Sequence, residues 1–178
     1  MGNKVRGQVR PFSISPPDLP DKTAAETSFD GGLNGDEHYT DIVLSNRNLA
    51  GQTAPHVIIE GARFQDVAMA AGQMKFLRLT DARFEDCDLA NVDWSQSALN
   101  RIKIVDCRMT GIKLIDSELK NVSFEDCKID LGLFRGCSCK DCRFSNCNLL
   151  EADFSRAKLP GVVFSDCDLR GLQYMERI

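Results

Sequence analysis

The sequence predicts an all-β solenoid, a parallel β-coil with four sides and about six to seven coils of 20 residues. Three observations predict it. Stepping by five from Ile59 to Tyr174 meets an apolar or aromatic residue at each of 23 steps, with Cys139 the smallest. Two residues before each of these centres stands a small or β-branched side chain, as at Ala62, Val67, Gly72, Ala82 and Cys87, with Leu77 and Leu172 the exceptions. The third is a super-repeat of 20: Phe64, Phe84, Ile104, Phe124, Phe144 and Phe164 share one phase, and Val67, Cys87, Cys107, Cys127, Cys147 and Cys167 share the next.

A period of five suits neither a helix nor a strand. It suits a chain that turns a corner every five residues and points one large and one small residue inward on each side. Four sides close a coil, and coils stack at the β-ladder spacing of about 4.8 Å, so six make a rod roughly 29 Å long. The backbone of each coil pairs with its neighbours, which leaves the interior free of polar demands. The Phe phase is expected to stack as an aromatic ladder.

The runs Ala82-Arg83-Phe84, Cys87-Asp88-Leu89, Val92-Asp93-Trp94, Cys147-Asn148-Leu149, Ala152-Asp153-Phe154 and Cys167-Asp168-Leu169 resemble the A(D/N)Lxx consensus of the pentapeptide-repeat family over residues 59–174, and in weaker form over 39–58. The resemblance implies a right-handed quadrilateral β-helix. It says less about activity, because function lives in sites grafted on folds. Some members of this chiefly bacterial family are rods that resemble duplex DNA and bind DNA gyrase, a type II topoisomerase.

Residues 1–38 lack the period and carry Pro11, Pro16, Pro17, Pro20, Gly31, Gly32 and Gly35, which reads as a flexible tail with a short piece able to cover the first coil. Residues 39–178 form the β-helix. Ala54-Pro55 breaks the consensus and predicts distortion of the first coil. At the other end Met175 and Ile178 offer a thin cap, and an open last coil would let two chains stack end to end as a homodimer.

The formal charge of −4 and pI near 5.2 argue against direct nucleic-acid binding. No apolar run approaches the roughly 20 residues that span a bilayer, and the first 20 residues hold no secretory h-region. Arg6 stands where a myristoylation start wants Ser or Thr. The chain is therefore expected in the cytoplasm, without membrane contact.

Three features could carry chemistry. Cys137, Cys139, Cys142 and Cys147 are spaced like a metal or redox site. They also occupy inward positions of the repeat, where Cys acts as a compact hydrophobe, and that reading is preferred. No cofactor is expected. Asp66, Asp86, Asp106, Asp126, Asn146 and Asp166 recur every 20 residues and predict an acidic corner. Stacked like charges are costly. Asx-type hydrogen bonds to each residue's own turn are expected to offset the cost, and mimicry of phosphates is the functional counterpart. Ile115, Leu131, Leu133 and Leu150 sit where the repeat wants polar residues and predict a small apolar patch. The two histidines, His38 and His56, have no nucleophile and third residue spaced as a triad. The expectation is a non-enzymatic module that presents flat faces to a protein partner. An inhibitor of DNA gyrase is the second reading, and a thiol-based metal or redox module the third.

Overall fold

The computed structural model describes residues 13–21 and 32–174. The elements are β1 (His38–Ser45), β2 (Ile58–Gln65), β3 (Arg78–Glu85), β4 (Ala98–Val105), β5 (Glu118–Glu125), β6 (Ser138–Lys140), β7 (Arg143–Ser145) and β8 (Val163–Ser165). All pairings are parallel, in the order β1-β2-β3-β4-β5-β7-β8, with β6 beside β5. The register is 20 throughout: Phe64 lies opposite Phe84, Leu79 opposite Leu99, Phe124 opposite Phe144. Bridges such as Asn48–Ala68 and Gln73–Asp93 repeat that step on the remaining sides. The fold is a four-sided parallel β-helix of between six and seven turns.

Each corner is made by one residue in the left-handed region. The first corner stacks Asp41, Gly61, Asp81, Arg101, Asn121, Asp141 and Gly161, at φ between 51 and 72°. Asp66 and its equivalents form the second corner, Ala71 and its equivalents the third, Phe76 and its equivalents the fourth. Between successive corners lie four sides. The first side carries Phe64, the second Cys87 and Leu89, the third Trp94, the fourth Leu79. L-residues pay for left-handed backbone, Asp and Asn least among those with a side chain. The Asp, Asn and Gly content of the corners follows from that.

The interior is one continuous apolar cluster from Leu33 to Ala157. Phe64 stacks on Phe84 and Phe124 on Phe144, both with ring centroids 4.5 Å apart, and Phe144 stacks on Phe164 at 5.0 Å. The expected ladder is present, interrupted only at Ile104. A second stack, Phe134 on Phe154, stands edge-on to it.

The small inward column does more than fill space. Cys87, Cys127 and Cys147 each aim Sγ at the carbonyl two residues back and at one in the preceding coil, such as Phe124 O at 3.5 Å from Cys147. On the fourth side Ser117 does the same for Trp94 O at 2.9 Å. Cys and Ser therefore satisfy corner carbonyls that Ala would leave to chance.

Two segments of the amino-terminal region, residues 13–21 and 32–37, are described. Residues 32–37 close the first coil: Leu33 is 3% exposed within the core, although it stands off the five-residue step. The Asp36 N–H donates to Pro55 O, and Glu37 O accepts from the Ile58 N–H, both at 2.9 Å. Residues 13–21 lie as an extended strap along the rod. The predicted distortion at Ala54-Pro55 is absent: Ala54 is buried and its N–H reaches Gln73 O at 2.9 Å. At positions equivalent to Pro55, Ser95 and Ser155 donate N–H to Asp93 and Asp153 side chains. No ladder rung is needed there, so proline removes none. Met175 and Ile178 lie outside the described residues.

Candidate interaction surface

Three of the four cysteines singled out come together, Cys139 contacting both Cys137 and Cys142, and the fourth stands apart. Cys137 and Cys139 bring their Sγ atoms to 3.2 Å, while Cys147 points to Phe124 O on another side. All four are buried. A hydrogen bond with Cys137, together with burial, pushes the Cys139 thiol up, and contact with Cys139, together with burial, pushes Cys142 up. Out of solvent, these thiols pack as compact side chains. Among the described residues no group of three His, Cys, Asp or Glu is arranged to hold a metal ion.

The acidic corner exists, with a different local cause from the expected one. Asp66, Asp86, Asp106, Asp126, Asn146 and Asp166 are exposed, and φ lies between 52 and 55° at each. Their side chains make no Asx turn. The sole side-chain hydrogen bond along the column, among the described residues, runs from Asn146 Nδ2 to Asp126. The Asx turns belong to the consensus Asp/Asn two residues later, where Asp88, Asn148 and Asp168 accept from the N–H of Ala90, Leu150 and Arg170. Other carboxylates are paired between coils: Asp88 with Arg108, Glu125 with Lys103, Asp153 with Arg135.

The apolar set is partly brought together. The Leu131 N–H donates to Leu150 O at 2.9 Å, which places both at the third corner. Leu133, on the third side, is flanked by Lys113 and Asp153 in neighbouring coils. Ile115 stands at the far edge of that side, beside the fourth corner. Ile115, Leu133 and Leu150 are half-buried, while Leu131 is 50% exposed. Sequence reasoning missed Phe76, at the fourth corner, 40% exposed and stacked on the His56 ring at 4.6 Å. Its signal was available, because a large apolar residue at a corner position is as irregular as Leu131. Phe76 and Leu131 border the same side from opposite corners.

Sequence reasoning also missed a cluster at the first corner. Arg101 donates twice to Asp81, at 2.6 and 2.5 Å, and Asp81 Oδ1 accepts the Asp18 N–H at 2.9 Å. The Arg101 guanidinium, seconded by the Asp18 N–H and opposed by burial, holds the Asp81 carboxyl below its ordinary value. A carboxyl with a lowered folded pKa contributes stability that is present above the unfolded value, near 3.8, and lost as pH falls through the folded one. Acidification below pH 3.8, through the lowered Asp81 value, is thus expected to loosen residues 13–21, read as faster proteolysis of that segment. Asp81→Asn should abolish this pH step.

A family model described as the pentapeptide repeat region matches residues 77–137 and 117–177. No curated protein matches. Solved structures similar to this chain include a pentapeptide repeat protein of the Arabidopsis thaliana thylakoid lumen, 14% identical, TM-score 0.36, with 71% of this chain and 64% of that one covered. The chain thus spans less than two thirds of that protein's length. A trypsin-treated form of QnrB1, a plasmid-mediated fluoroquinolone resistance protein, is 15% identical, TM-score 0.36, with 78% of this chain and 92% of that one covered. HetL, involved in heterocyst differentiation regulation in Nostoc sp. strain PCC 7120, is 13% identical, TM-score 0.25, with 76 and 88% covered. The two family-model matches run from 77 to 177, more than half of the chain; with its unbroken five-residue register, this chain belongs to the pentapeptide repeat family.

Proposed function

We propose that the protein is a non-enzymatic interaction module whose third side receives a protein partner. One observation carries this reading. Phe76 and Leu131 hold left-handed backbone, with φ of 60 and 58°, and are also exposed. Left-handed backbone costs a bulky L-residue on the order of 1 kcal/mol, and exposure forgoes the gain from burying the side chain. Strain at exposed bulky side chains, offset only in part at Phe76 by its stack on His56, marks a place where something else is gained. Between these corners Ile115 and Leu133 add apolar area to a flat β surface, and large patches of this kind serve as contacts.

Phe76→Asn and Leu131→Asn are each expected to leave the fold intact and raise stability by about 0.5–1 kcal/mol, measured by denaturant unfolding. The double variant should lose its partner from an immobilised chain. Full retention of that partner by the folded double variant would count against the third side.

The acidic corner favours a second reading, mimicry of duplex DNA toward a type II topoisomerase such as DNA gyrase. Its charge density is low: one carboxylate per coil is one per about 4.8 Å, against one charge per about 1.7 Å of duplex axis. Arg63, Arg83 and Lys103 on the adjoining first side dilute it further. A supercoiling assay decides: inhibition by the chain at micromolar concentration, relieved by Asp86→Asn with Asp106→Asn, supports mimicry, and no inhibition removes it.

A further inference from the structure

Residues 13–21 read Ser-Ile-Ser-Pro-Pro-Asp-Leu-Pro-Asp and dock against the first corner and the first side. The Ser15 N–H faces Asn121 Oδ1 at 3.4 Å, the Asp18 N–H donates to Asp81 Oδ1 at 2.9 Å, and Arg63 Nε donates to Pro20 O at 2.7 Å. Between Ser15 and Asp18 the strap crosses two coils, about 9.6 Å, in three residues, at the 3.2–3.4 Å rise of extended chain. Pro16 and Pro17 set that conformation in advance, since each fixes its own φ and restricts the residue before it. Ile14, Pro17, Leu19 and Pro20 are half-buried against the rod.

The receiving surface is chemically matched. Asp81, Arg101 and Asn121 follow one another along the corner, with the Asp81 side chain only 15% exposed. Beside them Arg63, Arg83 and Lys103 stand in register on three successive coils. Arg83 and Lys103 are shared with Glu85 and Glu125, whereas Arg63 reaches the strap. The corner presents an acceptor, Asp81 Oδ1, to a strap N–H, and the side presents a donor to a strap carbonyl. A cationic column accompanies a segment that carries Asp18 and Asp21. Contacts of this type are made mainly to backbone and to a preformed extended chain, and so are not restricted to a tethered segment.

We infer that the first corner and the basic edge of the first side form a docking groove for an extended, proline-rich, acidic peptide segment of a protein partner, and that residues 13–21 occupy this groove in cis and mask it. The inference rests on the reading of the protein as an interaction module and adds a second surface to it. A tethered strap competes at an effective concentration on the order of millimolar, so a partner segment binds appreciably only when the strap is displaced or outnumbered.

The test uses the full chain and a labelled peptide with the sequence of residues 13–21, read by fluorescence anisotropy. In the chain carrying Pro17→Gly with Leu19→Ser, the strap is loosened, and the peptide should bind at least tenfold more tightly than to the unaltered chain. Adding Arg63→Gln to that variant should weaken binding at least tenfold, and Asp81→Ala should do the same. Unchanged Trp94 emission reports that each variant is folded; if Asp81→Ala is not, Arg63→Gln alone decides. Equal binding to loosened and unaltered chains, binding that survives Arg63→Gln, or no saturable binding overturns the groove. None of these results touches the third side, so failure here is separable from failure of the proposed function.

Discussion

Phe144→Ala is expected to lower the free energy of unfolding by about 3–5 kcal/mol, the cost typical of deleting a fully packed aromatic ring. The ring has no exposed surface. It stacks on Phe124 at 4.5 Å and Phe164 at 5.0 Å, and meets Phe134 and Phe154 edge-on, each at 6.0 Å. Each pair adds roughly 0.5–1.5 kcal/mol beyond area burial. Collapse into the cavity is blocked, because the β-ladder fixes the distance between coils and a ring above cannot drop toward a ring below. Denaturant unfolding followed through Trp94, the single tryptophan, measures the loss. Phe164→Ala, at a half-exposed position near the end of the rod, should cost clearly less. Equal costs at the two sites would mean that the ladder is not a cooperative element.

Ser117→Ala is expected to cost about 1–3 kcal/mol, although it removes a single oxygen. That oxygen donates to Trp94 O at 2.9 Å and accepts the Ser97 N–H at 3.1 Å, while Ser97 Oγ in turn accepts the Leu77 N–H at 3.0 Å. Ser97 and Ser117 are buried. Alanine leaves one donor and one acceptor without partners where water does not reach, and an unmade buried hydrogen bond costs more than a made one gains. Ser117→Cys should recover most of the loss. The neighbouring column shows why: Cys107 Sγ accepts the Cys87 N–H at 3.4 Å and donates to Val105 O at 3.2 Å. Cysteine serves at these inward sites as a hydrogen-bonding side chain. It is a small side chain with a donor that fits an inward position, which is why eight cysteines accumulate in a chain with no disulfide among the described residues. Failure of Ser117→Cys to recover stability would contradict that explanation.

How much of this was legible follows from where each feature's cause resides. The inward and outward positions could be read because every coil repeats the same local demand. Phe64, Phe84, Cys87 and Trp94 each announce their side through the step of five. Leu33 could not be read that way, because it fits the open end of the first coil and owes nothing to the step. The strap was also opaque. Pro16, Pro17 and Pro20 speak for an irregular tail, while its seat depends on Asp81, Arg101 and Arg63, which come together only once the coil is wound. The acidic corner was legible as a column and misread in cause: left-handed backbone, and not a turn hydrogen bond, selects Asp66, Asp86, Asp106 and Asp126. Among the apolar candidates, Leu131 and Leu150 meet at one corner because they are 19 residues apart on a 20-residue lattice. Ile115 is displaced to the opposite edge of the third side by the same lattice, where it lies nearer to Phe76.

Inward residues supply the stability of this chain, and the recognition proposed above lies on outward residues, with the partner on the third side. Photo-crosslinking from one exposed reporter on each side tests that division most directly. Gln65, Lys128, Gln73 and Lys120 stand on the first, second, third and fourth sides. With a photoreactive residue at each position in turn, the account predicts one polypeptide partner crosslinked from Gln73, competed by excess unlabelled chain, and little from Lys128 or Lys120. Equal yields from all four positions, insensitive to competitor, would contradict it.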